Sequence, residues 1–259
     1  YDAAGRLLSV RDDYGVLQSC TYDALGRVTS KTNASGGVTG YTYDIFGNVK
    51  TITDPDGGVT RYEYNSIGQL TRINNPDGSV LNYTINSEGW ITAMTDSLGR
   101  TKRYEYDAVG NVTAEMDAEG NRTEYTYDGG GNVLSRIDPQ GAVTTYSYYP
   151  NGKLAKQTDE KGTETIYTYD PSWRTSSITS DSGAAVSYEY DPRGNLTAEI
   201  DALGSRTEYT YDEQGNVLSV KDPMGGITRY AYDANGNLTS ETDALGNQTA
   251  YTYDGRNRL

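Results

Sequence analysis

The side chains in this chain that could serve a metal site are carboxylates and amides set close together at recurrent turns. Asp54 stands two residues before Asp56, and Asn75 stands two residues before Asp77. Their oxygens suit calcium, but calcium takes about six to eight oxygen ligands and each turn offers one or two. Asp and Asn at the first corner of a turn also accept hydrogen bonds from backbone N–H groups. We therefore predict turn caps, with no metal ligands and no cofactor.

Catalysis would need nucleophilic or acid–base side chains that break the sequence pattern and converge on one point. The 259 residues contain no histidine, and most Asp and Glu fall at turn corners or at positions predicted to face solvent. The one cysteine, Cys20, cannot form an internal disulfide and stands where other repeats have tyrosine, which favours a packing role over a reactive thiol. We predict no catalytic residues and no enzymatic activity.

The 25 tyrosines offer a third kind of chemistry, since an aromatic ring can stack on a sugar or a peptide. The alternative is structural, because aromatic pairs across neighbouring strands stabilise sheets directly. Only 35% of the residues are hydrophobic and one is Phe, so a conventional core is not expected. We favour the structural role, in which the tyrosine side chains take the place of a hydrophobic core.

The tyrosines recur every 21 residues, and the rest of the sequence follows the same period. With this tyrosine as position 1, position 5 is Gly in eleven of thirteen copies, position 15 is Gly in all twelve, and position 20 is Tyr except at Cys20. Ile85 replaces the position 1 tyrosine once. A fixed period indicates a repeat architecture, so we predict one continuous array over residues 1–259, of about twelve repeats.

Each repeat contains two turn sequences, Asp-Ala-x-Gly at positions 2–5 and Asp-Pro/Ala-x-Gly at positions 12–15. Both are typical of a type I turn followed by a residue at positive φ. The segments between them are rich in Val, Thr, Tyr and Ile, which favours strands. We predict an all-β fold of tandem hairpin repeats in a single-layer antiparallel meander of about 24 strands. The predicted structural repeat residues are Tyr22, Asp23, Gly26, Gly36, Tyr41, Tyr43, Gly47, Gly57, Tyr62, Tyr104, Tyr106, Gly110, Gly120, Tyr125, Tyr127, Tyr209, Tyr211 and Gly215.

Side-chain alternation places the tyrosines of positions 20 and 1 on one face, together with positions 7 and 9, and places the variable position 10 on the solvent face. An odd period with identical loops would turn the tyrosines to the other face in every second repeat. One register correction per repeat is therefore required. We predict it at the second turn, as a four-residue loop or bulge near Gly57 and Gly58, with first-hairpin pairs Tyr22–Val28, Tyr43–Val49 and Tyr127–Val133.

Two repeats depart from the pattern. Trp173 occupies a glycine position, and because a bulky residue at positive φ is strained by roughly 1 kcal/mol or more, we predict another turn type for residues 170–173. Ile85 is expected to leave a gap among the tyrosines that a neighbouring side chain such as Trp90 covers.

The net charge of -14 opposes binding to phosphate, so we predict no nucleic-acid partner. Apolar runs are too short for a membrane span, and no membrane insertion is predicted. Because the sequence begins and ends inside the repeat, we expect a segment of a longer protein. Exposed sheet edges in such a segment favour edge-to-edge self-association.

The string Tyr-Asp-x-x-Gly-Arg/Asn-Leu/Val, at residues 1–7 and 43–49, resembles the YD repeat of Rhs proteins, and the resemblance covers the whole chain. Relatives include bacterial Rhs and wall-associated polymorphic toxins, the B and C components of insecticidal toxin complexes, and the teneurin adhesion receptors. The resemblance implies a sheet that spirals round a hollow shell, which in the toxins encloses the toxic C-terminal segment. It also implies a secreted or cell-surface, extracellular protein.

Toxin relatives end the shell with an autoproteolytic segment, whereas nothing of that kind interrupts the 21-residue pattern in this sequence. The leading hypothesis is a structural shell segment that encapsulates or displays a toxin or partner domain. Its partners are the rest of the parent shell and the enclosed C-terminal segment. The alternative is an extracellular binding or adhesion module that recognises a glycan or protein ligand through the tyrosine-rich sheet.

Overall fold

The computed structural model describes residues 1–12, 15–255 and 257–259. These residues form twenty-four β-strands, which confirms the predicted all-β fold. No helix that could cross a membrane is found among them. Two compact units divide the chain, Tyr1–Tyr125 (unit 1) and Thr126–Leu259 (unit 2).

In unit 1, consecutive strands pair antiparallel as a meander, and its last strand, β12 (Arg122–Tyr127), continues into unit 2. The preceding strands are β1 (Ser9–Asp12), β2 (Gly15–Tyr22), β3 (Val28–Asn33), β4 (Val38–Tyr43), β5 (Val49–Thr53), β6 (Val59–Tyr64), β7 (Leu70–Asn74), β8 (Val80–Ile85), β9 (Ile91–Asp96), β10 (Thr101–Tyr106) and β11 (Val112–Met116).

Unit 2 continues the same antiparallel order. Its strands are β13 (Val133–Ile137), β14 (Val143–Tyr148), β15 (Leu154–Thr158), β16 (Glu164–Tyr169), β17 (Thr175–Ser180), β18 (Ala185–Tyr190), β19 (Leu196–Ile200), β20 (Arg206–Tyr211), β21 (Val217–Lys221), β22 (Ile227–Tyr232), β23 (Leu238–Thr242) and β24 (Gln248–Ala250). Among the described strands, β1 pairs with β2 alone and β24 pairs with β23 alone.

In the repeat that begins at Tyr43, both turns have the same three-residue loop. At the first turn the N–H of Asp44 donates to the carbonyl of Asn48 and the N–H of Gly47 to that of Asp44; at the second turn Asp54 and Gly57 make the same two bonds. Gly47 and Gly57 have φ of 95° and 89°, in the left-handed region that favours glycine. The predicted type I turns with a positive-φ residue are confirmed, and the predicted four-residue second loop is wrong.

The register correction lies in the first hairpin. Tyr43 pairs with Val49 and Thr42 pairs with Thr51, which leaves Lys50, at position 8, as an unpaired bulge residue. The same register shift occurs between Thr21 and Tyr22, and Tyr22 pairs with Val28. The predicted need for one correction per repeat and these two pairs are confirmed, but its predicted place near Gly57 and Gly58 is wrong. The third predicted pair, Tyr127 with Val133, stays a prediction.

The bulge also corrects the assignment of faces. Tyr41, at position 20, pairs with Ile52 at position 10, and directly opposed residues of antiparallel strands share a face. Thr42 at position 21 pairs with Thr51 at position 9 on the other face. The prediction for positions 9 and 10 is therefore reversed, because the extra residue at position 8 shifts the alternation by one.

The sheet within each unit is one layer. Among the residues that the structure describes, each strand contacts only its neighbours along the chain. Among the described residues only Cys20, Ala114, Ala198 and Thr123 are buried, and no large side chain is fully buried. A second packed layer would bury large apolar side chains, so the predicted single layer is confirmed.

Trp173 keeps the turn that glycine forms elsewhere. Its φ is 60°, and its N–H donates to the carbonyl of Asp170 at 2.8 Å, as the N–H of Gly194 donates to Asp191. The predicted change of turn type is wrong. The indole packs against Tyr149 and Tyr169, with ring centroids 5.6 and 6.0 Å away, and these contacts offset the backbone strain.

Ile85 pairs with Ile91, in the register that Tyr22 and Val28 adopt. Trp90 lies against the following repeat, with its ring centroid 5.2 Å from that of Tyr106 and its atoms beside Gly110.

Candidate functional surface

The tyrosines at position 1 connect neighbouring repeats. The hydroxyl of Tyr43 donates to the carbonyl of Val28 at 2.7 Å, one repeat earlier, and that of Tyr211 to the carbonyl of Leu196 at 2.8 Å. The same bond is made by Tyr22, Tyr64, Tyr106, Tyr148, Tyr169 and Tyr190. Burial raises the pKa of the Tyr64 phenol, so the hydroxyl remains a donor. These side chains therefore bind their own chain.

A second group of side chains covers the tyrosine rings. The Arg27 guanidinium lies 4.5 Å from the centre of the Tyr43 ring, and Arg6 and Arg174 cover Tyr22 and Tyr190 in the same way. Arg27 also donates to the carboxylate of Asp23 and to the carbonyl of Asp44. All three arginines stand at position 6, directly after the turn residue at positive φ, which is Gly5, Gly26 or Trp173. The ring faces in these repeats are occupied by cations.

The turn aspartates are caps. Oδ1 of Asp44 accepts the N–H groups of Phe46 and Asn48, both at 2.9 Å, and Oδ2 accepts the side-chain amide of Asn48 at 3.0 Å. The Asn48 amide, together with these N–H donors, holds the pKa of Asp44 below its usual value. Asp54 caps Asp56 and Gly58 in the same manner. No cluster of three or more metal-binding side chains occurs among the residues described.

The face opposite the tyrosines carries a three-strand ion bridge in each unit. In unit 2, Arg206 of β20 contacts Glu189 of β18 at 2.7 Å and Glu208 at 3.0 Å, above the fully buried Ala198 of β19. In unit 1, Arg122 binds its two glutamates over Ala114. The small side chain between the outer strands leaves room for the guanidinium to span them.

The structure places the predicted repeat residues in two sets. The glycines lie in turns at positive φ: Gly26, Gly36, Gly47, Gly57, Gly110, Gly120 and Gly215. The tyrosines and Asp23 lie at the ends of strands or in the turn that follows: Tyr22, Asp23, Tyr41, Tyr43, Tyr62, Tyr104, Tyr106, Tyr125, Tyr127, Tyr209 and Tyr211. They are distributed along the array and do not converge on one centre.

Sequence reasoning missed the position 6 side chains. Arg, Asn, Gln, Lys and Trp alternate there, which resembles an unconstrained surface position. The signal that could have identified them is their fixed place after the turn glycine, where a long side chain lies beside the tyrosine of the next repeat.

Comparison with known families gave a match to the RHS Repeat model. The matched stretches are residues 22–59, 46–80, 86–115, 106–143, 174–206, 190–227, 211–247 and 232–259. Comparison with curated proteins gave no match.

Solved structures with a similar fold include a holotoxin pore and a second complex. The Photorhabdus luminescens Tc holotoxin pore matches all of this chain with a TM-score of 0.69 at 16% identity, and the TcdB2-TccC3-Cdc42 structure matches all of it with a TM-score of 0.68 at 17% identity. At these identities the likeness concerns the fold. The chain spans 18% of the length of each of those chains.

Proposed function

Because this chain belongs to the RHS repeat family, we propose that it is a structural segment in the wall of a larger hollow shell. The shell encapsulates or displays a toxin or a partner domain, and residues 1–259 form one continuous stretch of its repeat array. In this proposal the segment has no enzymatic activity of its own, because its carboxylates cap turns or bridge strands.

The observation that carries the proposal is the hydrogen bond from the position 1 tyrosine to the previous repeat. Each bond, such as that of Tyr43 with Val28, ties one hairpin to the hairpin before it. The stability of such an array arises between neighbouring repeats, so it can extend without a central core. A wall one layer thick needs this property.

The proposed location is extracellular, on a secreted or cell-surface protein, and the partners are the rest of the parent shell and its enclosed C-terminal segment. The similar structures support this setting because one of them is a holotoxin pore. Edge-to-edge self-association is proposed for the isolated segment, since β24 is exposed along its length and pairs only with β23 among the described strands.

The test uses the full-length parent protein and proteinase K. We expect the enclosed segment to resist digestion in the wild type and to be digested when Lys50 is deleted, because that deletion removes a register correction from the wall. Negative-stain images should show a hollow particle. A C-terminal segment digested at the same rate in both proteins, on a particle with no lumen, contradicts the proposal.

A binding or adhesion module is the second candidate function. It is favoured by two grooves on the tyrosine rows, over Tyr64 and Tyr232, where the preceding position 6 residue is the short Asn48 or Asn216. A glycan array probed with this chain separates the two functions. Saturable glycan binding that is lost on changing Tyr232 to Ala supports the binding module. Absence of saturable glycan binding supports the structural segment.

A further inference from the structure

The chain contains a recurrent guanidinium site built from its own residues. The Arg174 guanidinium lies 4.7 Å from the centre of the Tyr190 ring, donates to the carbonyl of Asp191 at 3.1 Å, and binds the carboxylate of Asp170 at 2.6 Å. Three acceptors therefore surround one planar cation: an aromatic face, a main-chain carbonyl and a carboxylate. Arg6 and Arg27 occupy equivalent sites.

The repeat of unit 2 that begins at Tyr211 has the acceptors of this site without the arginine. Asn216 stands at position 6, and its amide donates to Asp212 at 2.8 Å, so the short side chain is held at its own turn. The next tyrosine, Tyr232, lines a groove of about 800 Å³ with Tyr230 and Leu218. Within the described chain, the hydroxyl of Tyr232 makes no hydrogen bond.

The main-chain carbonyl of this site is also available. The carbonyl of Asp233 accepts the turn N–H of Gly236 at 3.0 Å, the bond that Gly194 makes to Asp191, and no described side chain donates to it. A carbonyl oxygen has two lone pairs, so it can accept a second donor, as that of Asp191 does from Arg174.

The charge of the groove matches a cation. Its described lining includes the carboxylates of Asp212 and Asp233 and no Lys or Arg. The corresponding groove in unit 1, over Tyr64, is smaller, at about 430 Å³, and it is lined by Lys50 and has Asn65 in place of the second carboxylate. Lys50 opposes a cation there, whereas Leu218 stands at the same repeat position over Tyr232.

We propose that the groove over Tyr232 binds an arginine side chain of a partner polypeptide. The incoming guanidinium lies on the Tyr232 ring, donates to the carbonyl of Asp233 and faces the carboxylate of Asp212, as Arg174 does with Tyr190, Asp191 and Asp170. The groove over Tyr64 does not bind this group.

The experiment titrates the ¹⁵N-labelled chain with N-acetyl-arginine amide and, separately, with N-acetyl-citrulline amide, which replaces the guanidinium by a neutral urea group of the same shape. We expect saturable amide shifts at residues 212–216 and 232–236 with the arginine probe alone. Saturable binding of the citrulline probe at equal affinity, or no saturable shift with arginine, overturns the proposal.

Two variants locate the site. Asn216→Arg supplies a guanidinium from the chain itself and should weaken binding of the arginine probe by about tenfold or more. Leu218→Lys places a cation in the groove, as Lys50 does in the groove over Tyr64, and should also weaken binding of the probe. Leu218 is 40% exposed, so the second change does not disturb a packed site. Unchanged affinity in both variants, with the wild-type circular dichroism spectrum, also overturns the proposal.

Discussion

At the residue scale, stability depends on short polar contacts that repeat along the chain. The Tyr43 hydroxyl, the Asp44 carboxylate and the Arg27 guanidinium each bind a group in a turn or in the neighbouring repeat. A net contribution of about 0.5–1.5 kcal/mol is usual for one such hydrogen bond. Because few side chains are buried, the many polar contacts along the array take the place of a hydrophobic core.

Changing Tyr43 to Phe should lower the free energy of unfolding by about 0.5–1.5 kcal/mol, because it removes the donor to the carbonyl of Val28 and keeps the ring. Urea unfolding of unit 1 measured by circular dichroism checks this. Tyr62→Phe is the matched control, because the Tyr62 hydroxyl makes no hydrogen bond with the described residues. Equal losses in the two variants would show that the bond to Val28 contributes nothing.

The limits of sequence reasoning at this scale are visible at Trp173. The spacing of Asp and Gly predicted the type I turn and its positive-φ residue, because both are specified within five residues, but it did not predict the length of the second loop. The same local rule gave the wrong result for Trp173, since the packing of its indole on Tyr149 and Tyr169 depends on a tyrosine twenty-four residues away. Contacts of that span are absent from a local pattern.

At the element scale, the two hairpins of a repeat such as residues 43–63 share one loop and differ by one bulge. Parity alone predicted that a correction must exist, but it could not say where. Gly57 and Gly58 drew the prediction to the second turn, whereas the bulge residue is Lys50 in one repeat, Thr71 in the next and Leu218 further along. A bulge residue that needs no positive φ accepts many side chains, so its position has no sequence signature.

Deleting Lys50 should unfold the hairpin of β4 and β5, because the residues after it would then face the wrong side of the sheet. Hydrogen exchange should show loss of protection in both strands. Lys50→Ala keeps the residue count and should stay within about 0.5 kcal/mol of the wild type. Retained protection after the deletion would refute the role given to the bulge.

Enlarging Ala198 to Leu should destabilise unit 2 by about 1–3 kcal/mol, because the side chain is 0% exposed beneath the bridge from Arg206 to Glu189. Urea unfolding provides the measurement. The control is Ala231→Leu, on the same face but exposed, which should change stability by about 0.5 kcal/mol or less. An Ala198→Leu variant as stable as the wild type would mean that the ion bridge shifts without a loss of stability.

At the whole-molecule scale, acid should unfold the array cooperatively across many turns. The pKa of Asp44 is lowered by the amide of Asn48, that of Asp212 by Asn216 and that of Asp23 by the N–H of Arg27. A carboxyl whose pKa is lower in the folded state stabilises the fold above its unfolded pKa of about 3.9. It loses that contribution as the pH falls through the folded pKa. The urea concentration at the midpoint of unfolding should stay constant from about pH 7 to 5 and should decrease once the pH is under about 4. A midpoint that increases under that pH would contradict the prediction.

The bulge at position 8 also bears on how such proteins change over generations. Unequal recombination between similar repeats adds or removes stretches of coding sequence. A gain or loss of one whole repeat carries its own bulge, so every later tyrosine keeps its side of the sheet. A gain or loss of a single codon within a strand does not. Descendants of this gene should therefore vary in length by whole repeats, and lineages that differ by a fraction of a repeat should be removed by selection.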